Sequence, residues 1–298
     1  MMEASHFDVK TAYAAYERHQ LEDYEPYVYR TRDAGKTWQK ITNGLPAGVY
    51  VQTVKEDPQR RGLLFVGTEL GVYVSFDDGD HWQSLQLNLP PSSARDLAIH
   101  GDDLIVATHG RGFWILDNIT ALRQIDDVRK ASSFLFKPAA AVNVVTGSDN
   151  GTPQPRDEAL AQNPPSGAVI DYYLRSAPSG PVVLEILNAG GDVVRRYSSD
   201  DKPAAVNPDT LNIPAFWRPT PEPLSAAAGM HRWVWDLRPT PQAPSAGGGG
   251  GGAGGGGGGG GGFGNRPTVL PGNYTVKLSV GGQSLTQPLV VKPDPRVK

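Results

Sequence analysis

Hydrophobic positions in residues 1–120 recur in short runs and not at helical spacing. Ala12-Tyr13-Ala14-Ala15, Tyr27-Val28-Tyr29, Val51-Gln52-Thr53-Val54, Leu63-Leu64-Phe65-Val66, Val72-Tyr73-Val74 and Leu104-Ile105-Val106-Ala107 are rich in β-branched and aromatic residues, with Gly, Pro or Asp between them every 8 to 12 positions. No window of helical length keeps a 3.6-residue period, so this half is predicted all-β. A second set of runs, 168–174, 182–187, 193–197, 232–237, 274–278 and 289–291, predicts six or seven further strands with hairpin turns at 188–192 and 280–283. Between the sets, residues 121–165 are dense in Pro, Gly, Asn and Asp and read as a connector.

An internal repeat dominates the first half. Thr31-Arg32-Asp33-Ala34-Gly35-Lys36-Thr37-Trp38 returns 44 residues later as Ser75-Phe76-Asp77-Asp78-Gly79-Asp80-His81-Trp82, both of the form Ser/Thr-x-Asp-x-Gly-x-x-Trp. The segment Val66 to Val74 reappears as Val106 to Ile115, about 41 residues on. A period in the low forties with four short strands per unit is the blade signature of a β-propeller. The motif reads as a hairpin turn in which Asp accepts backbone N–H groups and Gly supplies a positive φ, with Trp38 and Trp82 expected to pack between neighbouring sheets. The middle unit has strands at 51–55, 63–67 and 72–76 and an outer strand from Trp82. The first fits if Glu3–Phe7 is its inner strand and Tyr16–Pro26 an insertion; the third, Asp96 to Leu116, lacks the motif. Closing a propeller takes four to eight blades, so a chain carrying about three is expected to be the C-terminal piece of a longer protein.

At these spacings the motif matches the Asp box of bacterial sialidases and sortilin-type receptors. The whole chain resembles the C-terminal region of large bacterial glycosyl-hydrolase-like proteins with sortilin-like Asp-box (BNR) propellers. The residues that carry the resemblance are 3–8, Tyr29 to Trp38, 107–117, 163–174 and 228–237. The repeat and the strand count predict a partial propeller over 1–120, a connector over 121–165 and, over 166–298, an immunoglobulin-like β-sandwich with a polyglycine insertion at 247–264. The resemblance implies an extracellular, periplasmic or envelope location for a full-length protein about three times longer.

Composition narrows the chemistry. Of 36 glycines, 16 fall between Gly247 and Gly264, so low complexity is confined to one tract, expected to be a flexible and dispensable coil. With 28 Lys and Arg against 31 Asp and Glu the formal charge is −3, and no basic run is present to neutralise phosphates, which argues against nucleic acid. Zero Cys excludes a disulfide framework, a thiolate metal site and a Cys nucleophile. The N-terminal residues lack the basic and apolar regions of an export signal, and no 18-residue apolar run exists. Six His at 6, 19, 81, 100, 109 and 231 form no metal-ligand spacing, and no cofactor or metal is expected. The sequons at Asn118, Asn150 and Asn273 are read as chance.

A sialidase needs an arginine cluster, a Tyr–Glu nucleophile pair, an acid/base Asp and a Phe/Tyr-Arg-Ile-Pro motif; that motif is absent. The obvious acids, Asp33, Asp77 and Asp78, are assigned to turns, and Thr31, Asp33, Gly35, Trp38, Ser75, Asp77, Gly79 and Trp82 to the structural box. Trp233 and Trp235 alternate onto one strand face, read as sandwich core ahead of a sugar platform. In a four-strand blade the turns between strands two and three lie opposite the boxes. That places Arg18, His19, Asp23, Glu69, His109 and Arg111 on one rim, with Gly110 and Gly112 admitting close backbone approach. The expected function is binding of a polysaccharide or protein ligand, with the missing blades as partner. The alternative is a glycoside hydrolase whose active site requires those blades; an envelope assembly module ranks third.

Overall fold

The computed structural model describes residues 1–144, 164–202, 222–240 and 268–297. The chain is nearly all-β and divides into two compact units, Met1–Arg123 and Gln124–Lys298. The glycine tract lies outside the described residues.

The first unit is built from three antiparallel meanders. The first pairs β1 (Met2–Ala4), β2 (Ala12–Ala15), β3 (Val28–Thr31) and β4 (Gln39–Lys40) in that order. The second pairs β5 (Val51–Glu56), β6 (Leu64–Thr68), β7 (Gly71–Ser75) and β8 (Gln83–Ser84), and the third β9 (Ala94–His100), β10 (Asp103–Thr108) and β11 (Phe113–Leu116). The opening strand is shorter and earlier than the expected 3–7. Asp8 accepts Lys10 N–H and the Thr11 hydroxyl, and Ser5 N–H donates to Thr11 O, so the chain already turns at Ser5.

The middle sheet carries a core on each face. Val51, Val54, Leu64, Val66 and Trp82 meet Tyr13, Ala15, Val28 and Ile41 of the first sheet. Leu63, Phe65, Val72 and Val74 meet Ala94, Leu97, Leu104 and Val106 of the third. A strand buried on both sides has no polar face to alternate with, which is why Leu63-Leu64-Phe65-Val66 is a continuous apolar run. Gly67 completes the fit: a Cβ there would lie 2.5 Å from Ala94 O.

Charged groups brace the end of this unit where β5 turns into β6. Asp57 is fully buried, accepts the N–H groups of Gln59 and Arg60, and takes Arg123 Nε at 2.9 and 3.1 Å. The same guanidinium donates to Asp102 and Gly101 O, tying the departing chain to two meanders.

The second unit begins with α1 (Ile125–Val128) and packs two sheets across one core. One orders β12 (Ser133–Leu135), β14 (Ala168–Leu174) and β17 (Gly229–Trp235). The other orders β13 (Ala141–Asn143), β19 (Gln283–Pro293), β18 (Gly272–Val280), β15 (Val183–Leu187) and β16 (Val193–Ser198), with β13 parallel to β19. Thus the stretch expected as a connector supplies α1, β12 and β13; elements of three or four residues, each with a polar position, are too short to stand out in sequence. Ile170, Tyr172 and Trp235 interleave with Leu184, Ile186, Val276 and Leu278. Trp235 is fully buried, with Nε1–H donating to Arg238 O, whereas Trp233 sits at the core margin edge-on to Tyr197.

Candidate functional site at the ends of the first three sheets

The repeated turns close with the same hydrogen bonds. Thr31 Oγ1 donates to Asp33 Oδ1 at 2.8 Å and accepts Gly35 N–H at 2.9 Å, and Asp33 accepts both N–H and hydroxyl of Thr37. Ser75, Asp77, Gly79 and His81 repeat the arrangement, with the His81 ring nitrogen 2.7 Å from Asp77 in place of the Thr37 hydroxyl. The Thr37 bonds, foremost its hydroxyl, hold Asp33 down at about 2. Burial pushes Asp77 up, but the bonds from His81 and Ser75 outweigh it and leave it below the ordinary carboxylate range. Gly35 and Gly79 have φ of +84 and +90°, the left-handed region the turn requires.

The two tryptophans of the turns differ. Trp82 is 5% exposed, but Trp38 is 38% exposed and not packed between sheets as expected. The reason is positional, since Trp82 lies against the segment following the first meander and no described residue offers Trp38 such a segment. Asp78 is held in a network in which Tyr13 Oη donates to it at 2.5 Å and Arg30 and Arg32 pair with it.

In a meander, consecutive turns alternate between ends, so the 16–27, 68–71 and 108–113 connections lie opposite the Asp33 and Asp77 turns. The first is an ordered loop with its own brace. Arg18 Nη1 lies 3.0 Å from Asp23 Oδ2, and Tyr27 Oη donates to the same oxygen at 2.8 Å. The 3-10 turn His19–Leu21 then lays the His19 ring on Tyr50, centroids 4.8 Å apart and planes 17° from parallel. Glu17 bonds the His19 ring, Tyr24 leans on Tyr50 at 6.2 Å, and Tyr50 Oη donates to Glu69. Backbone pairing sets that last bond: Glu69 N–H donates to Tyr50 O at 3.1 Å, placing the two side chains together at the mouth of the sheet. Burial, then the Glu69 carboxylate, pushes the Tyr50 phenol up to about 12.

The six rim residues expected from sequence therefore separate. His19 and Glu69 meet through Tyr50, while Arg18 and Asp23 brace their own loop. His109 and Arg111 are exposed on the third connection, where His109 N–H donates to Ser93 O and Arg111 O accepts Trp114 Nε1–H. Gly110 and Gly112 have φ of +84 and +68°, and a Cβ on either would meet open space. Sequence reading missed Tyr50, Glu17 and Tyr24. The available signal was that Tyr50 immediately precedes β5 while Glu69 immediately follows β6, which antiparallel pairing must bring together. Two buried side-chain atoms at this end, Gln52 Nε2 and Ser93 Oγ, have no hydrogen-bond partner. Among the described residues, no group of three His, Asp or Glu is disposed to hold a metal ion and no helix is long and apolar enough to cross a membrane.

No family model matches the chain. It is similar to the vacuolar protein sorting/targeting protein 10 of Pyrenophora teres f. teres (strain 0-1), 32% identical over 76 residues, which is 26% of this chain and 5% of that protein. The protein of the same name from Pyrenophora tritici-repentis (strain Pt-1C-BFP) is 29% identical over 76 residues, with the same shares. The matched region thus spans about a twentieth of these curated relatives' length. These matches support, at most, a sortilin-like repeat family for that quarter of the chain. Among solved structures the chain is similar to an ancestral GH74 enzyme at 14% identity and a TM-score of 0.29, covering 64% of this chain and 26% of the other. Likeness at that level carries no argument about activity.

Proposed function

We propose that Met1–Arg123 forms three blades of an Asp-box β-propeller and that an immunoglobulin-like sandwich follows over 166–298. The protein acts by binding a polysaccharide or protein ligand at the rim that carries His19, Tyr50 and Glu69, as part of an exported, longer molecule whose other blades are its partner. One observation supports this above the rest: the two ends of the sheets divide their labour. At one end Asp33, Asp77 and Asp78 are consumed by turn and network hydrogen bonds. At the other lie an aromatic–imidazole stack, a Glu69 carboxylate taken up by the Tyr50 hydroxyl instead of by a turn, Glu17 on the His19 ring, and two unpartnered polar atoms. Aromatic faces beside acceptor oxygens suit the apolar faces and hydroxyl edges of sugars.

The second reading is a glycoside hydrolase. The hydroxyl–carboxylate pair Tyr50–Glu69 favours it, with Glu17 across the imidazole. Tyr50 is only 6% exposed, lies under His19 and keeps its proton to about 12, so its oxygen is poorly placed to meet a sugar carbon. Binding is the better supported function.

The test is calorimetric titration of the chain with sialosides and β-glucans. Binding that falls tenfold or more in His19→Ala and Glu69→Ala, with little change in melting temperature, is the expected result. Binding untouched in both variants would assign the cluster to packing and defeat the site; an absence of sugar binding would move the ligand class to protein.

A further inference from the structure

The flank of the first sheet that faces away from the second is under-packed, and the interface between the two sheets shows what fits it. The sheets share a register: Tyr29 pairs with Lys40 and Arg30 with Gln39, as Tyr73 pairs with Ser84 and Val74 with Gln83. Trp38 and Trp82 therefore hold equivalent positions, as do Tyr29 and Tyr73. On the second sheet these two residues are covered by the segment leaving the first. Trp82 Nε1–H donates to Ile41 O and Trp82 N–H to Asn43 O, both at 2.8 Å, while Tyr73 and Leu45 pack against the same core. Gly44 has φ of +95°, and a Cβ on it would stand 2.2 Å from Trp82 O, so this segment is shaped to the backbone it covers. On the first sheet no described residue lies over Trp38 in the equivalent way, and Tyr29 has Tyr16 stacked on it at 5.8 Å.

The covering segment has a recurring pattern, apolar-x-x-Gly/Asn-Leu-Pro, at 41–46 and again at 85–90. Both begin with the same bond, Ile41 N–H to Val28 O and Leu85 N–H to Val72 O at 2.9 Å. The second copy packs Leu85 and Leu89 against Leu97, Leu104 and Val106 of the third sheet. Each copy is already engaged inside the chain, so a second molecule of this chain has none to lend. We infer that the outer flank of the first sheet is a docking surface for a third segment of this pattern, carried by an additional four-stranded meander of the same polypeptide. Trp38 then donates to a carbonyl of that segment as Trp82 does to Ile41. This inference rests on the propeller reading and supplies the chemistry of the missing neighbour.

The experiment places a second copy of residues 1–52 directly before Met1. Fifty-two residues is the offset at which Ala4 opposite Ala12 overlays Glu56 opposite Leu64, so the added 41–46 segment arrives in register with the outer flank. In the 298-residue chain, Trp82→Ala lowers the melting temperature by about 10 °C or more, and Trp38→Ala by no more than about 2 °C. In the extended chain the two substitutions become equally costly, and the part of the fluorescence lost on Trp38→Phe becomes shielded from acrylamide. A Trp38→Ala that stays nearly silent in the extended chain overturns the inference. Should the extension not fold, a peptide of residues 39–50 added to the unmodified chain replaces it; shielding of Trp38 is expected, and none counts against the docking surface. Rim binding is read separately by ligand titration, so loss of the one reading is distinguishable from loss of the other.

Discussion

At the residue scale, the paired turns show why an Asp is written at positions 33 and 77. One carboxylate collects a hydroxyl from two residues before it and an N–H from four residues after it, bonds that Asn reproduces with one oxygen only. Because both carboxyls titrate below their unfolded value of 3.8 in the fold, the folded state binds fewer protons in that range. Their contribution is present above the unfolded value of 3.8 and is lost as pH falls below it, for Asp33 down to about pH 2. Melting temperature followed from pH 6 to pH 2 should decline less steeply in an Asp33→Asn/Asp77→Asn protein, already less stable at neutral pH; an unchanged acid slope would remove the turns as its source. Residue types and spacing made these turns legible from sequence. Tyr50 was not legible, since a lone Tyr before a strand has no motif and gains meaning only from its cross-strand neighbour Glu69 and from His19, which the insertion folds over it.

At the element scale, strands with β-branched or aromatic runs were found in place, and their ends moved by one to several residues. Val28–Thr31 extends through polar positions because hydrogen-bonded pairing, not hydrophobicity, sets where a strand stops. β12 and β13 escaped notice because three residues carry too little pattern. Ionic bracing is likewise invisible in sequence: Arg123 lies 66 residues from the buried Asp57 that it pairs with. Removing it takes the paired guanidinium from a fully buried carboxylate that keeps its two backbone N–H bonds from Gln59 and Arg60, an effect of about 3–5 kcal/mol. Arg123→Ala should therefore shift the urea midpoint of unfolding strongly to lower concentration, and a shift near zero would mean that Asp57 finds another partner or takes up a proton.

At the scale of the whole molecule, the third sheet ends in β11, which has no strand beyond it among the described residues, and there Phe113 is 78% and Ile115 54% exposed. An open strand edge beside apolar side chains invites pairing with other chains. Sedimentation velocity should show concentration-dependent association that Phe113→Lys/Ile115→Lys suppresses; a monomer throughout, with or without the substitutions, would show the edge to be inert. The amino-acid sequence by itself determined the nearly all-β class, the repeat and the chemistry of its turns, because short β-branched and aromatic runs and turn residues act through neighbours a few positions apart. Only the tertiary structure decided which sheet is buried on both faces, which of two identical-looking tryptophans is covered, and which rim residues meet. Those depend on what lies across a gap from each side chain, and residues such as Trp82 and Ile41, or Tyr50 and His19, are brought face to face by packing that no local pattern encodes.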